Sequence, residues 1–311
     1  MTKRAFTLLE VLVATAVLSI IVVLLASFAS QASNIWKDVS SNNQQRSAAR
    51  VLLQYMAREL QAVKKPLPMP TAAQANANLQ MIASLSSNSD NDTVIPSDNL
   101  YPHALFWQVP VAQNTSKGNI ASVGYFIRWD TSSHPGHAKP ILCRFFVGPS
   151  DAADFQIYNQ TGTEAQNWLS VLPTVAPATA PAYLGWMGDN VIGLWIRFLD
   201  TDGQPITKNA AGTTLNYGFD SRQGYRSPAT GQVHPGPAYP PSVEISLVVV
   251  DSRTLAKIQT PPTYTQTTPA DFDKDESTVG SVRYFVNQLP KEIKAGAKIF
   301  STRVYLPSGG M

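Results

Sequence analysis

The clearest chemical signature in the sequence is Glu10, the single charge in an apolar run from Phe6 to Phe28 that follows Lys3 and Arg4. About 23 residues at 1.5 Å each form a helix of about 34 Å, enough to cross a bilayer core of about 30 Å. A carboxylate in a membrane costs about 2.5–3.5 kcal/mol on insertion scales, so it needs a cationic partner there. The α-amine of a neighbouring chain is a suitable partner if the chain is cut next to Phe6.

Two further groups have metal-binding residue types. The pair in His134-Pro135-Gly136-His137 encloses a proline, so it cannot share a helix face as in a helical zinc site, and we interpret it as an exposed turn. Asp271, Asp273 and Asp275 alternate as at the start of a calcium loop. The glycine and glutamate of an EF-hand are missing from the sixth and twelfth positions, so the three acids remain calcium candidates of another type beside the simpler interpretation of a solvated loop.

Neither the composition nor the motifs of the chain indicate catalysis. The sequence has no Gly-x-Ser-x-Gly elbow, phosphate loop or dinucleotide fingerprint, so we predict no enzyme and no cofactor. Cys143 is the only cysteine, which excludes an internal disulfide. Loss of Lys3 and Arg4 would lower the net charge from +3 to +1, too little for a general nucleic-acid binder. Charged residues make up only 14%, against about 25% in typical domains, as is common in exported proteins.

The N-terminal stretch resembles the signal of type IV prepilins and type II secretion pseudopilins, in the run Lys3-Arg4-Ala5-Phe6-Thr7-Leu8-Leu9-Glu10. The resemblance implies that a prepilin peptidase cuts between Ala5 and Phe6 and methylates the new amine. It also implies that Glu10 pairs with the amine of an adjacent subunit during assembly. The family usually has glycine where this chain has Ala5, which is also small.

Two other interpretations of the N-terminus stay open. A secretory signal would have a basic start, an apolar core and a cut after Ala29, but its core should span 7–15 residues and carry no acid. A plain membrane anchor would leave Glu10 unexplained.

The segment after the apolar run predicts a continued helix. No glycine or proline occurs before Pro66, so one helix can extend to residue 65. Apolar residues recur at helical spacing and predict a face that packs on a core, at Leu52, Leu53, Met56, Leu60 and Val63. We therefore divide the chain into a leader (1–5), a transmembrane helix (6–28), its amphipathic continuation (29–65) and a β-rich extracytoplasmic head (66–311).

The sequence of the head predicts short strands separated by long turn-rich segments. Residues 66–103 are predicted as loop, and 173–181, 217–241 and 259–277 as surface insertions. The predicted strands are Ala104–Val109, Val123–Trp129, Ile141–Val147, Val191–Leu199, Val243–Asp251 and Lys298–Leu306. Alternation in Val243–Leu247 favours a sheet with one face in water. The predicted fold is α+β and pilin-like, with the long N-terminal helix packed on an antiparallel sheet.

The order of these strands is similar to that of the J-type minor pseudopilin of type II secretion. The similar segments are Val123–Trp129, Leu142–Phe145, Val191–Gly203 and Pro240–Ile245. The chain is also similar in length and loops to the Verru_Chthon cassette protein C branch of prepilin-like proteins.

We therefore predict a minor pseudopilin-like structural subunit of a type II secretion or type IV pilus-like assembly. Its expected partners are other pseudopilins or pilins, the prepilin peptidase and the inner-membrane assembly machinery. Lys3 and Arg4 predict a cytoplasmic N-terminus and a periplasmic head on a single inner-membrane span. The alternatives are an anchored adhesin or substrate-binding head and, less favoured, an anchored enzyme.

Overall fold

A computed structural model describes residues 8–63, 80–83, 95, 101–114, 118–130, 139–148, 169, 172, 184–188, 190–215, 218–263 and 281–307. The chain forms two compact units, residues 1–47 and 48–311. We call the second the head unit.

Helix α1 covers Leu8–Gln61, in agreement with the absence of glycine and proline from this segment. It ends in a tighter turn, in which the N–H groups of Ala62 and Val63 donate to the carbonyls of Glu59 and Leu60, both at 3.2 Å. The predicted apolar face is confirmed, since its five residues are all buried in the head unit, whereas Gln54, Arg58 and Gln61 are exposed. Burial of this face fixes the end of α1 in the hydrophobic core.

The head contains a six-stranded antiparallel sheet, which we call the large sheet, with the strand order β5-β4-β3-β2-β1-β7. Its strands are β1 (Met81–Ala83), β2 (Leu105–Asn114), β3 (Gly118–Asp130), β4 (Lys139–Val147), β5 (Leu184–Gly188) and β7 (Phe219–Asp220). One face joins the core that contains α1. The other face is also buried, because Ile95, Leu169 and Leu172 pack on it from the long insertions.

On the face of this sheet away from α1, aromatic packing leaves room only for glycine at position 124. The ring of Phe106 lies 5.8 Å from Phe126 and 5.7 Å from Phe145, measured between centroids. Gly124 pairs directly with Phe106 across the strands. A Cβ on Gly124 would lie 2.0 Å from the Phe106 ring, so only glycine leaves room for this cluster.

A three-stranded antiparallel sheet, which we call the small sheet, has the order β11-β10-β6. Its strands are β6 (Val191–Leu199), β10 (Ser242–Val250) and β11 (Ala297–Tyr305). The prediction that one face of this sheet lies in water is wrong, because every residue of β10 is buried. Helix α3 (Val282–Gln288) covers that face, where Phe285 packs on Trp195 with ring centroids 5.0 Å apart.

Short elements complete the head. They are a ribbon of β8 (Tyr225–Arg226) and β9 (Val233–His234), helix α2 (Ser252–Leu255) and helix α4 (Lys291–Lys294). The prediction of a loop over 66–103 is wrong at β1, whose three residues are held by β2 on one side and β7 on the other. The surface insertion predicted at 217–241 is also wrong, because Ser221, Tyr225 and Tyr239 are buried in it.

Buried acceptors anchor that segment. The hydroxyl of Ser221 accepts the N–H of Met81 at 2.8 Å. Asp200 forms the predicted turn by accepting the N–H of Gln204 at 2.7 Å. Its second oxygen accepts the hydroxyl of Ser227 at 2.9 Å, so the turn also holds the 217–241 segment in place.

All six predicted strands are present; β6 has its predicted ends, and the ends of the others differ by at most five residues. The α+β class is confirmed. An N-terminal apolar helix with antiparallel sheets is consistent with the predicted pilin-like fold.

Candidate assembly helix and polar sites of the head

The first part of α1 exposes a long, mainly apolar surface. Between Leu8 and Phe28, every large apolar side chain that the structure describes is at least 46% exposed. The segment Thr15–Ser33 has a mean hydropathy of 2.0 and, by length and composition, can cross a membrane. It overlaps the predicted span Phe6–Phe28. Such a surface is stable only when lipid or other protein chains cover it.

Hydroxyl groups in this apolar stretch are satisfied within the helix. The hydroxyl of Thr15 donates to the carbonyl of Leu12 at 3.0 Å, and that of Ser19 donates to the carbonyl of Thr15 at 2.8 Å. These bonds remove the cost of placing hydroxyls in hydrocarbon, where no water is present to pair with them. The stretch is therefore compatible with a lipid environment at these positions.

The predicted processing site lies outside the described residues, at Ala5 and Phe6, and so does Phe6 as the start of the predicted span. Glu10 lies in α1, and its side chain is outside the described part. Phe28 is on α1 and exposed. The cut and the pairing role of Glu10 therefore stay predictions.

The calcium candidates Asp271, Asp273 and Asp275, and the pair His134 and His137, also lie outside the described residues. Within the described ranges, no group of three or more His, Cys, Asp or Glu is placed to hold a metal ion.

The structure instead shows a polar cluster between α1 and the large sheet that sequence reasoning missed. The guanidinium of Arg144 donates to the Glu59 carboxylate from Nε at 3.1 Å and from a terminal nitrogen at 2.5 Å. The hydroxyl of Tyr125 also donates to Glu59. Only 22% of the Arg144 side chain and 20% of the Glu59 side chain are exposed. We call these three residues the helix–sheet triad.

The electrostatics of the triad favour the charged pair. Burial, followed by the hydrogen bond to Glu59, raises the pKa of the Tyr125 phenol, which therefore stays protonated as a donor. Burial by itself lowers the pKa of Arg144, but the hydrogen bond and charge of Glu59 raise it above its usual value. The Arg144 guanidinium also lies over the Phe146 ring, 4.6 Å from its centroid. The triad thus joins α1 to β3 and β4 through a mostly buried polar contact.

A sequence signal for this triad existed. Glu59 lies three residues after Met56 and four before Val63, so helical spacing places it beside the buried face. An acid at such a position needs a buried cation or donor. The identity of that partner, 85 residues away, has no local signal.

Of the described histidines, His103 has a structural role. It is 2% exposed, and its Nδ1 accepts the backbone N–H of Ile196 at 2.9 Å. Burial lowers the pKa of His103 to about 3, so the ring is neutral and can accept this bond. His234 stacks on Tyr225 with centroids 4.4 Å apart.

A groove of about 560 Å³ lies beside α3. Aromatic and proline residues line much of it, including Trp195, Tyr284, Phe285, Pro261 and Pro262.

In the described part of the chain, the N-terminal helix is the one segment long and apolar enough to anchor the protein in a membrane, and an α+β head follows it. Residues 1–26 match the family model of the prokaryotic N-terminal methylation motif. This motif is typical of type IV prepilins and pseudopilins, so the chain carries the signal of a precursor that prepilin peptidase processes and that assembles with other pilins. Comparisons with curated proteins and with solved structures gave no match.

Proposed function

We propose that the chain is a minor pseudopilin-like structural subunit of a type II secretion or type IV pilus-like assembly, with no catalytic role. The observation that carries this proposal is the methylation motif at the start of a helix whose apolar side chains are exposed as far as Phe28. Lipid covers that surface before assembly, and the helices of neighbouring subunits cover it afterwards.

In this proposal, peptidase cuts between Ala5 and Phe6 and leaves an N-methylated amine on Phe6. Lys3 and Arg4 hold the N-terminus in the cytoplasm, so the helix spans the inner membrane and the head is periplasmic. Glu10 then offers its carboxylate to the amine of an adjacent subunit, because an unpaired carboxylate in the membrane is costly.

The J-type resemblance supports a place just below the fibre tip. A subunit at the tip has no neighbour ahead of it and needs no acid at this position, whereas this chain has Glu10. The strand order of the head, with the antiparallel pairs β2–β3 and β3–β4, is compatible with that resemblance. The narrower Verru_Chthon cassette protein C branch remains a further proposal.

Two measurements test the proposal. Mass spectrometry of the mature protein should find methylated Phe6 at the N-terminus; a mature chain that begins at Ser30 would show a secretory signal instead. Replacing Ala5 by a bulky residue should block the cut.

The second measurement is recovery with partner subunits. Glu10→Leu should leave membrane insertion and the cut intact but abolish co-purification with the other prepilin-type subunits. Thr15→Leu is the matched control, because it adds an apolar side chain to the same helix and removes only a hydroxyl bonded within it. Normal assembly of Glu10→Leu protein would disprove the pairing role and favour a plain anchor.

The groove beside α3 favours one second candidate function, a head that binds a ligand. Tyr284 offers a partly exposed ring and Lys257 offers a cation to such a ligand, close to the buried Trp195. A change of tryptophan fluorescence on addition of peptides or oligosaccharides to the full chain, abolished by Tyr284→Ala, would support this function.

A further inference from the structure

The two edges of the small sheet differ in how their backbone groups are satisfied. The edge at β6 is closed: the N–H and carbonyl of Leu194 bond to Tyr101 and His103 at 2.9 and 3.1 Å. The N–H of Ile196 is bonded to the His103 ring, and the carbonyl of Phe198 accepts the N–H of Ile206 at 2.9 Å. Four outward groups of β6, on Leu194, Ile196 and Phe198, therefore have partners.

Among the described residues, nothing pairs with the outer edge of β11, which is therefore open in this part of the chain. The N–H of Leu306 donates to the carbonyl of Pro241 at 2.9 Å. Hydrogen bonds alternate along an antiparallel pair, so the backbone groups of every second residue before Leu306 also point to β10. The backbone groups that point away from β10 belong to Ala297, Ile299, Ser301, Arg303 and Tyr305. No hydrogen bond from any described residue reaches these groups.

Strand β11 is long for an open edge. It has nine residues, whereas the terminal strands of the large sheet, β5 and β7, have five and two. Natural sheets usually keep open edges short, or cover them, because such an edge pairs with other chains. An open edge of this length is therefore a ready site for an additional strand.

The segment that ends in β11 is strongly basic. Residues 281–307 contain one acid, Glu292, and five exposed cations, Arg283, Lys291, Lys294, Lys298 and Arg303. None of the five is in an ion pair within the described part of the chain. The segment carries +4 while the whole chain carries +3, so the rest of the chain has a net charge of −1. The net positive charge of the chain therefore lies in this segment, and two of its cations, Lys298 and Arg303, are on β11 itself.

We propose that the outer edge of β11 binds an extended, acidic segment of another polypeptide by strand addition. Backbone bonds to the five outward residues would supply the pairing, and Lys298 and Arg303 would select carboxylates on the two faces of the added strand. A second copy of β11 is disfavoured as the occupant because it would bring two basic edges together. The site does not depend on the N-terminal helix or on its assembly role.

The test uses the full chain in detergent micelles and a labelled nine-residue peptide of the repeating pattern Glu-Glu-Val-Val, which carries carboxylates on both faces when extended. Its binding is followed by fluorescence anisotropy. A second peptide of the same sequence carries an N-methyl group on every backbone nitrogen, so that it keeps the charge but loses its donors along both edges. We expect the first peptide to bind and the methylated one to bind at least about tenfold more weakly. This comparison requires no change to the protein.

Charge reversal locates the site. The double variant Lys298→Glu and Arg303→Glu should weaken binding by about tenfold. Lys208→Glu is the matched control: Lys208 is exposed, lies outside the small sheet, and its reversal should leave binding within about twofold. Thermal unfolding of each variant establishes that it is folded.

Three results would overturn the proposal. Equal binding of the methylated and unmethylated peptides would show attraction by charge alone. Equal loss in Lys208→Glu and in the double variant would remove β11 as the site. Failure of the peptide to bind, or its full displacement by duplex DNA with no difference between the two peptides, would show that the edge does not take a polypeptide strand.

Discussion

The helix–sheet triad leads to a quantitative prediction about the stability of the head. Replacing Glu59 by Leu removes the acceptor of two guanidinium N–H groups and one phenol hydroxyl. The Arg144 cation is then left four-fifths buried with no carboxylate beside it. The result should be a large loss in the free energy of unfolding.

The expected size follows from burial. Breaking a fully buried ion pair by removing one partner costs about 3–5 kcal/mol. Because about a fifth of each side chain is exposed, water can partly solvate the remaining cation, so we expect about 2–4 kcal/mol for Glu59→Leu. Replacing both partners, as Glu59→Leu with Arg144→Met, leaves no buried charge and should cost less than the sum of the two single changes by at least about 1.5 kcal/mol.

Urea unfolding of the full chain in detergent, followed by tryptophan fluorescence, measures these free energies. The matched control is Arg58→Leu, because Arg58 precedes Glu59 on the same helix and is exposed. Its cost should stay within about 0.5 kcal/mol. If Glu59→Leu costs no more than Arg58→Leu, or if the double-mutant cycle shows no coupling, the triad does not stabilise the contact between α1 and the sheet.

Three further predictions concern the packing and titration of the head. Leu60→Asp places a carboxylate at a position with 0% exposure and should lower stability by at least about 4 kcal/mol, whereas Gln61→Asp on the exposed side should be nearly neutral, as measured by thermal unfolding. Because the pKa of His103 falls from 6.5 to about 3 on folding, the unfolded chain binds an extra proton between these values. Stability should therefore fall by up to about 1.4 kcal/mol per pH unit below pH 6.5, and urea titrations of His103→Gln should show a flatter dependence. Gly224→Ala should lower the melting temperature strongly, because its φ is +64° and a Cβ would lie 2.2 Å from the carbonyl of His234; Gly212→Ala, with φ +89° and open space, should show only the backbone strain.

The elements with a regular local pattern could be predicted without the structure. The end of α1 was predictable because Leu52, Met56 and Leu60 recur at helical spacing and nothing before Pro66 breaks a helix. Strand β6 was predicted with its observed ends because Val191–Leu199 is a short apolar run between turn residues. Local chemistry decides such elements, so local reasoning finds them.

Short elements held only by their neighbours could not be predicted. Strand β1 has three residues, and its strand conformation depends on pairing with Leu105–Trp107 and Phe219–Asp220, far away in the sequence. The segment 217–241 has the glycine and proline content of a loop, yet its buried Tyr225 and Ser221 hold it against the sheets. Composition signals turns but not the contacts that order them.

The sequence by itself determined the nature of the N-terminus: a basic start, an apolar helix with an acid at Glu10, and a motif whose meaning does not depend on the rest of the chain. It also determined which face of α1 enters the core, because helical periodicity is a property of consecutive residues. Only the tertiary structure decided that Glu59 meets Arg144, that His103 closes one edge of the small sheet, and that β11 leaves the other edge open. These features join residues that are distant in sequence, and their energies depend on burial and register, which exist only once the chain has folded.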